Sequence, residues 1–132
     1  MKKILLIYLS LSLLSCGILK SNKKKCNTGT YSSTKKYTLN IIDYKESYNS
    51  GDKIVLSMDS DQYSFGQAKL ISLFHNNNQI YSFGKWLVFN SNKKEITLPK
   101  NMISEDSECF DVRIFYAADE VYISKTFLIK NK

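Results

Sequence analysis

Hydrophobic positions follow two regimes along this chain. Residues 4–14 form a nearly unbroken run of Ile, Leu, Ser and Tyr behind Lys2 and Lys3. From residue 37 onward, apolar residues come in short runs, many alternating with polar ones and separated by Asn, Asp, Gly and Ser. A period of two marks a strand with one buried face, and those separators are turn residues. The later region therefore predicts a series of strands, and the first run predicts something else.

The first predicted strand is "YTLNIIDY" at 37–44. "NSGD" at 49–52 turns the chain into "KIVLSMD" at 53–59, where Ile54, Leu56 and Met58 alternate with Val55 and Ser57. "AKLISLFH" at 68–75, the turn "NNNQ" and "QIYSF" at 79–83 read as a hairpin. "WLVF" at 86–89 and "EITL" at 95–98 follow, the latter stopped by Pro99. The clearest alternation is "CFDVRIFY" at 109–116: Phe110, Val112, Ile114 and Tyr116 share one face, expected to be the core, and Asp111 and Arg113 share the other, expected to face water. "VYISKTFLIK" at 121–130 returns after a turn at 117–120 as one strand. The chain is therefore all-β, with no helix period in this region.

About seven or eight short strands at this spacing, over residues 37–130, resemble bacterial immunoglobulin-like and fibronectin-type modules. The resemblance implies an antiparallel β-sandwich. It departs from true immunoglobulin domains in that Cys26 lies outside the second strand and Ser107, not tyrosine, stands two residues before Cys109. Closure of the same strands into a small eight-stranded β-barrel is the alternative.

The first apolar run has the charged start and roughly eleven-residue apolar core of a secretion signal. As a helix it would reach only about 17 Å, short of the ~30 Å hydrocarbon core, so it is not expected to remain as a span. It ends at Leu13-Leu14-Ser15-Cys16, which resembles the lipobox of bacterial lipoproteins. That resemblance implies cleavage after Ser15, a diacylglyceryl group on the Cys16 sulfur, and acylation (palmitate or similar) of the new amino terminus. Two or more acyl chains hold stably where one does not. Gly17 after the cysteine implies outer-membrane delivery, facing the periplasm or the cell surface. Residues 1–15 are then signal peptide, 16–36 a lipidated basic tether, and 37–132 the folded domain.

Charge changes the picture once it is located. The net +7 is carried by the first part of the chain, for all 12 acidic residues lie beyond Tyr37 and only eleven of the 19 basic ones do. The folded region is close to neutral, so nucleic acid is not an expected partner; the basic surplus belongs to the tether.

Candidate chemistry is sparse. With Cys16 lipidated, Cys26 and Cys109 remain in an oxidising compartment, where a disulfide is the natural outcome, with free thiols or an intermolecular bridge as alternatives. His75, the single histidine, has no neighbouring acid or nucleophile in sequence. "DSD" at 59–61 lacks the remaining ligands of a calcium loop, and "SEDSE" at 104–108 reads as a solvated connection. Neither a metal site nor a cofactor is expected, and no catalytic residue is assigned. Aromatics are abundant between residues 44 and 86, and Tyr48, Tyr63 and Trp86 are the candidates for binding by stacking or as a protein hot spot. The expectation is a non-enzymatic, membrane-anchored interaction module of the cell envelope with a protein or glycan partner. A small envelope inhibitor or hydrolase is the alternative.

Overall fold

The computed structural model describes residue 26 and residues 35–59, 67–84, 92–101, 107–117 and 119–131. The expected signal, the lipobox-like Leu13 to Cys16 and most of the expected tether lie outside them, as do Tyr63, Trp86 and the "WLVF" segment. The described residues form nine strands: β1 Lys35–Ile42, β2 Ser47–Asn49, β3 Lys53–Ser57, β4 Leu70–His75, β5 Asn78–Gly84, β6 Lys93–Thr97, β7 Ser107–Phe115, β8 Glu120–Ser124 and β9 Phe127–Lys130. The fold is all-β, and the mixed sheet these strands make is not closed. That openness excludes the barrel.

Most pairs are antiparallel, but β1 runs parallel to β8 and β2 parallel to β9. β1 joins the two layers by changing partners along its length. Its first part, from Lys35 to Leu39, pairs with β8, and Asn40 to Ile42 pair with β3. β3 continues to β6, while β7 sits between β4 on one side and β8 followed by β9 on the other. Leu39, Ile54, Leu56, Met58, Ile96 and Leu98 meet Ile71, Leu73, Phe110, Val112, Ile114 and Ile129 in one buried cluster. Tyr116 ties the layers further, its hydroxyl lying 3.1 Å from the Met58 sulfur.

Local chemistry explains the turns. The β4–β5 hairpin has Asn76 and Asn77 at its tip with φ of 46° and 74°, the left-handed pair a two-residue turn requires and asparagine tolerates. At the 49–52 turn, the Asp52 carboxylate accepts the Asn49 N–H at 2.8 Å. Gly51 there has φ +83°, and this left-handed backbone is what demands glycine, since the atoms a Cβ would meet belong to the flexible Lys100 side chain, which can move aside.

Two expectations about the last hairpin are corrected. The segment 121–130 is two strands, not one: β8 and β9 follow each other along the same edge of β7 with a register shift between them, and the outer neighbour changes from β1 to β2. At the handover the Ser124 hydroxyl accepts the Val112 N–H at 3.0 Å and donates to the Lys125 carbonyl at 2.9 Å, supplying bonds the ladder omits. On the β9 side, the residues from Ser107 to Phe110 of β7 oppose those from Ile129 to Phe127, so β7 holds one extra residue. Cys109 lies in this bulge with φ 68°.

The second correction concerns Asp111 and Arg113. Neither faces water: they are 1% and 0% exposed. β7 is a central strand whose second face is also covered. Arg113 Cζ lies 4.2 Å from the centre of the Phe74 ring, Val121 is buried opposite Phe115, and Cys109 is bonded to Cys26.

Candidate functional site

The strand directions define two ends of the sandwich. At one, His75 pairs with Phe110, the Asn76 N–H donates to the Cys109 carbonyl at 3.3 Å, and β9 runs out at Lys130. At the other, Leu70 pairs with Phe115, Lys35 with Glu120, and Ile71 with Gly84. The upper part of β3 belongs to this second end, since Met58 touches Tyr116 there and its N–H donates to the Asn92 carbonyl at 3.1 Å.

The first end is clamped. Cys26 and Cys109 are joined by a disulfide, their Cα atoms 5.2 Å apart across a separation of 83 residues. Such a crosslink removes about 4.5 kcal/mol of loop entropy from the unfolded chain in the chain-entropy account. Beside it lies an open cleft of about 380 Å³, lined in part by Cys26, Tyr44, Glu46, Glu108 and Phe127. Tyr44 is tied into its wall: the hydroxyl donates to the Thr126 carbonyl, and Lys125 Nζ sits 5.6 Å from the ring centre. Burial, helped by the charge of Glu46 and then by Tyr48, raises the Tyr44 hydroxyl above its ordinary 10.0, which keeps it a neutral donor.

Tyr48, expected as a binding aromatic, is corrected to a core residue. It is 6% exposed, its ring meets Phe127 edge-on at 5.3 Å, and its hydroxyl accepts the Lys45 N–H at 2.8 Å. β2 is short and parallel to β9, and this pairing turns its middle side chain inward. Tyr63 and Trp86 fall outside the described residues. The strands that flank them, β3 with β4 and β5 with β6, all have the relevant termini at the end away from the disulfide. Of the described aromatics, Tyr81 on β5 is 40% exposed and meets Phe83 edge-on at 5.1 Å.

His75 stacks on Phe110 at 4.7 Å between ring centres, with Asn76 Nδ2 at 3.3 Å from its Nε2. It acts as a cover for the core where the hairpin turns. Asp59 is the one member of the "DSD" triplet among the described residues, and among those residues no group of three His, Cys, Asp or Glu side chains is placed to hold a metal ion.

The side chains that sequence reasoning missed are Asp111 and Arg113. Arg113 Nε donates to Asp111 Oδ1 at 2.6 Å and Nη2 to Oδ2 at 3.1 Å, a two-pronged pair between residues i and i+2 on one strand face. Arg113 Nη1 donates to Asn77 Oδ1 at 2.8 Å, which ties the β4–β5 turn to the central strand. Burial pushes the Asp111 carboxyl above its ordinary 3.8, against the hydrogen bond and charge of Arg113. The pair is closed on itself and packed under Phe74, so it positions the hairpin and offers no group to a substrate. The sequence signal for it was the interruption of polar residues by Cys109 and Phe115 on that face.

Comparison of the chain with protein-family models, with curated proteins and with solved structures finds no match in any of the three.

Proposed function

We propose that this chain is a lipoprotein of a bacterial cell envelope, anchored through diacylglyceryl-Cys16 and acting as a non-enzymatic binding module for a protein or glycan partner. The observation that carries the reading is the Cys26–Cys109 disulfide in a chain that opens on a signal-like run and Leu13-Leu14-Ser15-Cys16. A long-range disulfide belongs to oxidising compartments, and export is how a bacterial chain reaches one. The anchor and the bond thus point to the same place by independent chemistry.

The binding role draws on Tyr63 and Trp86. Both lie in sequence between strands whose facing termini point away from the disulfide, and aromatic side chains supply stacking area at small entropic cost. Their partner is a sugar face or a protein surface in the envelope.

Intact mass of the detergent-extracted chain tests the anchor: the first fifteen residues are expected to be missing and acyl mass added at Cys16. Cys16→Ser is expected to leave the precursor uncleaved. A wild-type mass without acyl addition would overturn the reading. Crosslinking of the anchored chain in intact envelopes tests the binding role, with a specific product that weakens in Trp86→Ala and Tyr63→Ala. Turnover of peptidoglycan or peptide substrates, or inhibition of envelope lysozymes, would replace it with the enzyme or inhibitor reading.

A further inference from the structure

Cys26 and Lys35 are near neighbours in sequence and lie at opposite ends of the fold. Cys26 is bonded to Cys109, at the end where the β4–β5 hairpin turns. Lys35 pairs with Glu120, beyond the point where Phe115 pairs with Val121. Lys35 is level with Tyr116, since both pair with Glu120, and Tyr116 lies seven residues along the strand from Cys109, a separation of about 23 Å. The disulfide therefore moves the first fixed point of the chain from one end of the sandwich to the other.

We infer that the Cys26–Cys109 bond makes the Cys109 end of the sandwich the face that meets the bilayer. The inference rests on the lipid anchor at Cys16 proposed above. From Cys16 to Cys26 is about ten residues, which reach at most ~35 Å whatever their conformation. To bring the Lys35 end to the bilayer and hold the Cys109 end upright above it, those residues must span about 23 Å, roughly two-thirds of that reach. A more compact tether holds the Cys109 end closer to the lipid, while no such limit applies to the Lys35 end. Without the bond, the first described residue held in the sheet is Lys35, about nineteen residues from Cys16 with a reach of ~65 Å, and it lies at the other end. The bond thus halves the reach of the tether and inverts the end from which the domain hangs. It also directs outward the end where β3, β4, β5 and β6 exchange chain.

The test uses the full lipidated chain in phosphatidylethanolamine–phosphatidylglycerol vesicles carrying a headgroup energy acceptor. A donor dye is clicked onto an encoded azide side chain at Gln79, exposed beside the hairpin turn, or at Lys35, exposed at the opposite end where it pairs with Glu120. Position 79 is level with Asp111 and position 35 with Tyr116, five residues or about 17 Å farther along β7, so transfer from position 79 is expected to exceed that from position 35 about twofold in the oxidised chain. Cys26→Ser with Cys109→Ser, or reduction of the wild type by excess dithiol, is expected to abolish or reverse the contrast. Equal transfer from both positions in oxidised chain that floats with the vesicles overturns the inference and leaves the anchor standing. So does a contrast that persists without the bond. The oxidised comparison decides alone if the bond-free chain loses its strand signal in circular dichroism. Chain that fails to float and carries no acyl mass overturns the anchor, and the inference with it.

Discussion

The two faces of β7 are equally dry and chemically opposite. On the inner face Phe110, Val112 and Ile114 are 0–1% exposed and belong to the apolar cluster shared with the facing layer. On the outer face Asp111 and Arg113 are just as buried, yet their charges are held by each other and by Asn77. Burial alone therefore does not say what a side chain contributes. On the inner face, removing atoms loses transfer energy and opens a cavity. On the outer face, removing one partner leaves the other as an uncompensated charge in a medium that solvates it poorly.

The sharpest way to break this contrast is to cut the pair. Asp111→Ala should lower stability by about 3–5 kcal/mol, the usual loss when a buried charge is orphaned. Denaturant midpoints measure it, and a loss of a few tenths would mean that Arg113 finds water. Replacing both partners at once, Asp111→Leu with Arg113→Met, should restore most of that loss, since apolar residues of similar volume fill such sites well. The inner face should yield about 2–5 kcal/mol for Ile114→Ala, with no partner whose replacement recovers it.

A smaller effect is pH-dependent and belongs to the outer face alone. The folded Asp111 carboxyl titrates above 3.8, with burial as the main cause. Between 3.8 and that raised value the folded chain keeps a proton that the unfolded chain has released. This group's contribution to stability therefore falls as pH rises through the window and is flat on either side. Asp111→Asn has no such step. The stability difference between wild type and Asp111→Asn should shift toward the variant as pH rises from below 3.8, a trend that paired unfolding curves would show. The smallest effect is at Ser72, which pairs with Arg113 across the ladder and whose buried hydroxyl has no hydrogen-bond partner among the described residues. Ser72→Ala should be neutral or stabilise by up to about 1 kcal/mol, because it removes an unsatisfied group and leaves no void of consequence. A clear loss there would reveal a partner for the hydroxyl.

Much of the fold was readable from local pattern. The period-two runs at 37–44, 53–59, 95–98 and 109–116 correspond to β1, β3, β6 and β7 with ends shifted by one or two residues, as strand ends fray and ladders stop short of the pattern. The hairpin at 68–83 was legible because Asn76 and Asn77 satisfy a turn that few other residues can adopt. β2 was not legible: three residues have no period, and they are a strand only because β9 lies beside them. The split of 121–130 was hidden for the same reason, since nothing within that run announces that its outer neighbour changes from β1 to β2.

For the candidate site the division is similar. Sequence by itself determined the lipobox-like Leu13 to Cys16, the pool of cysteines, and which side chains of each strand share a face. Tertiary structure alone decided that Cys26 meets Cys109 at one end of the sheet while Lys35 begins at the other, that Tyr48 points inward, and that the Asp111 face is sealed. The physical reason is range. Alternation is a property of neighbouring residues, set by the strand's own geometry, so it survives in the sequence. Whether a second face is covered depends on which distant strands flank β7 and what lies over them, and two polar residues on a strand look the same in sequence whether they meet water or each other.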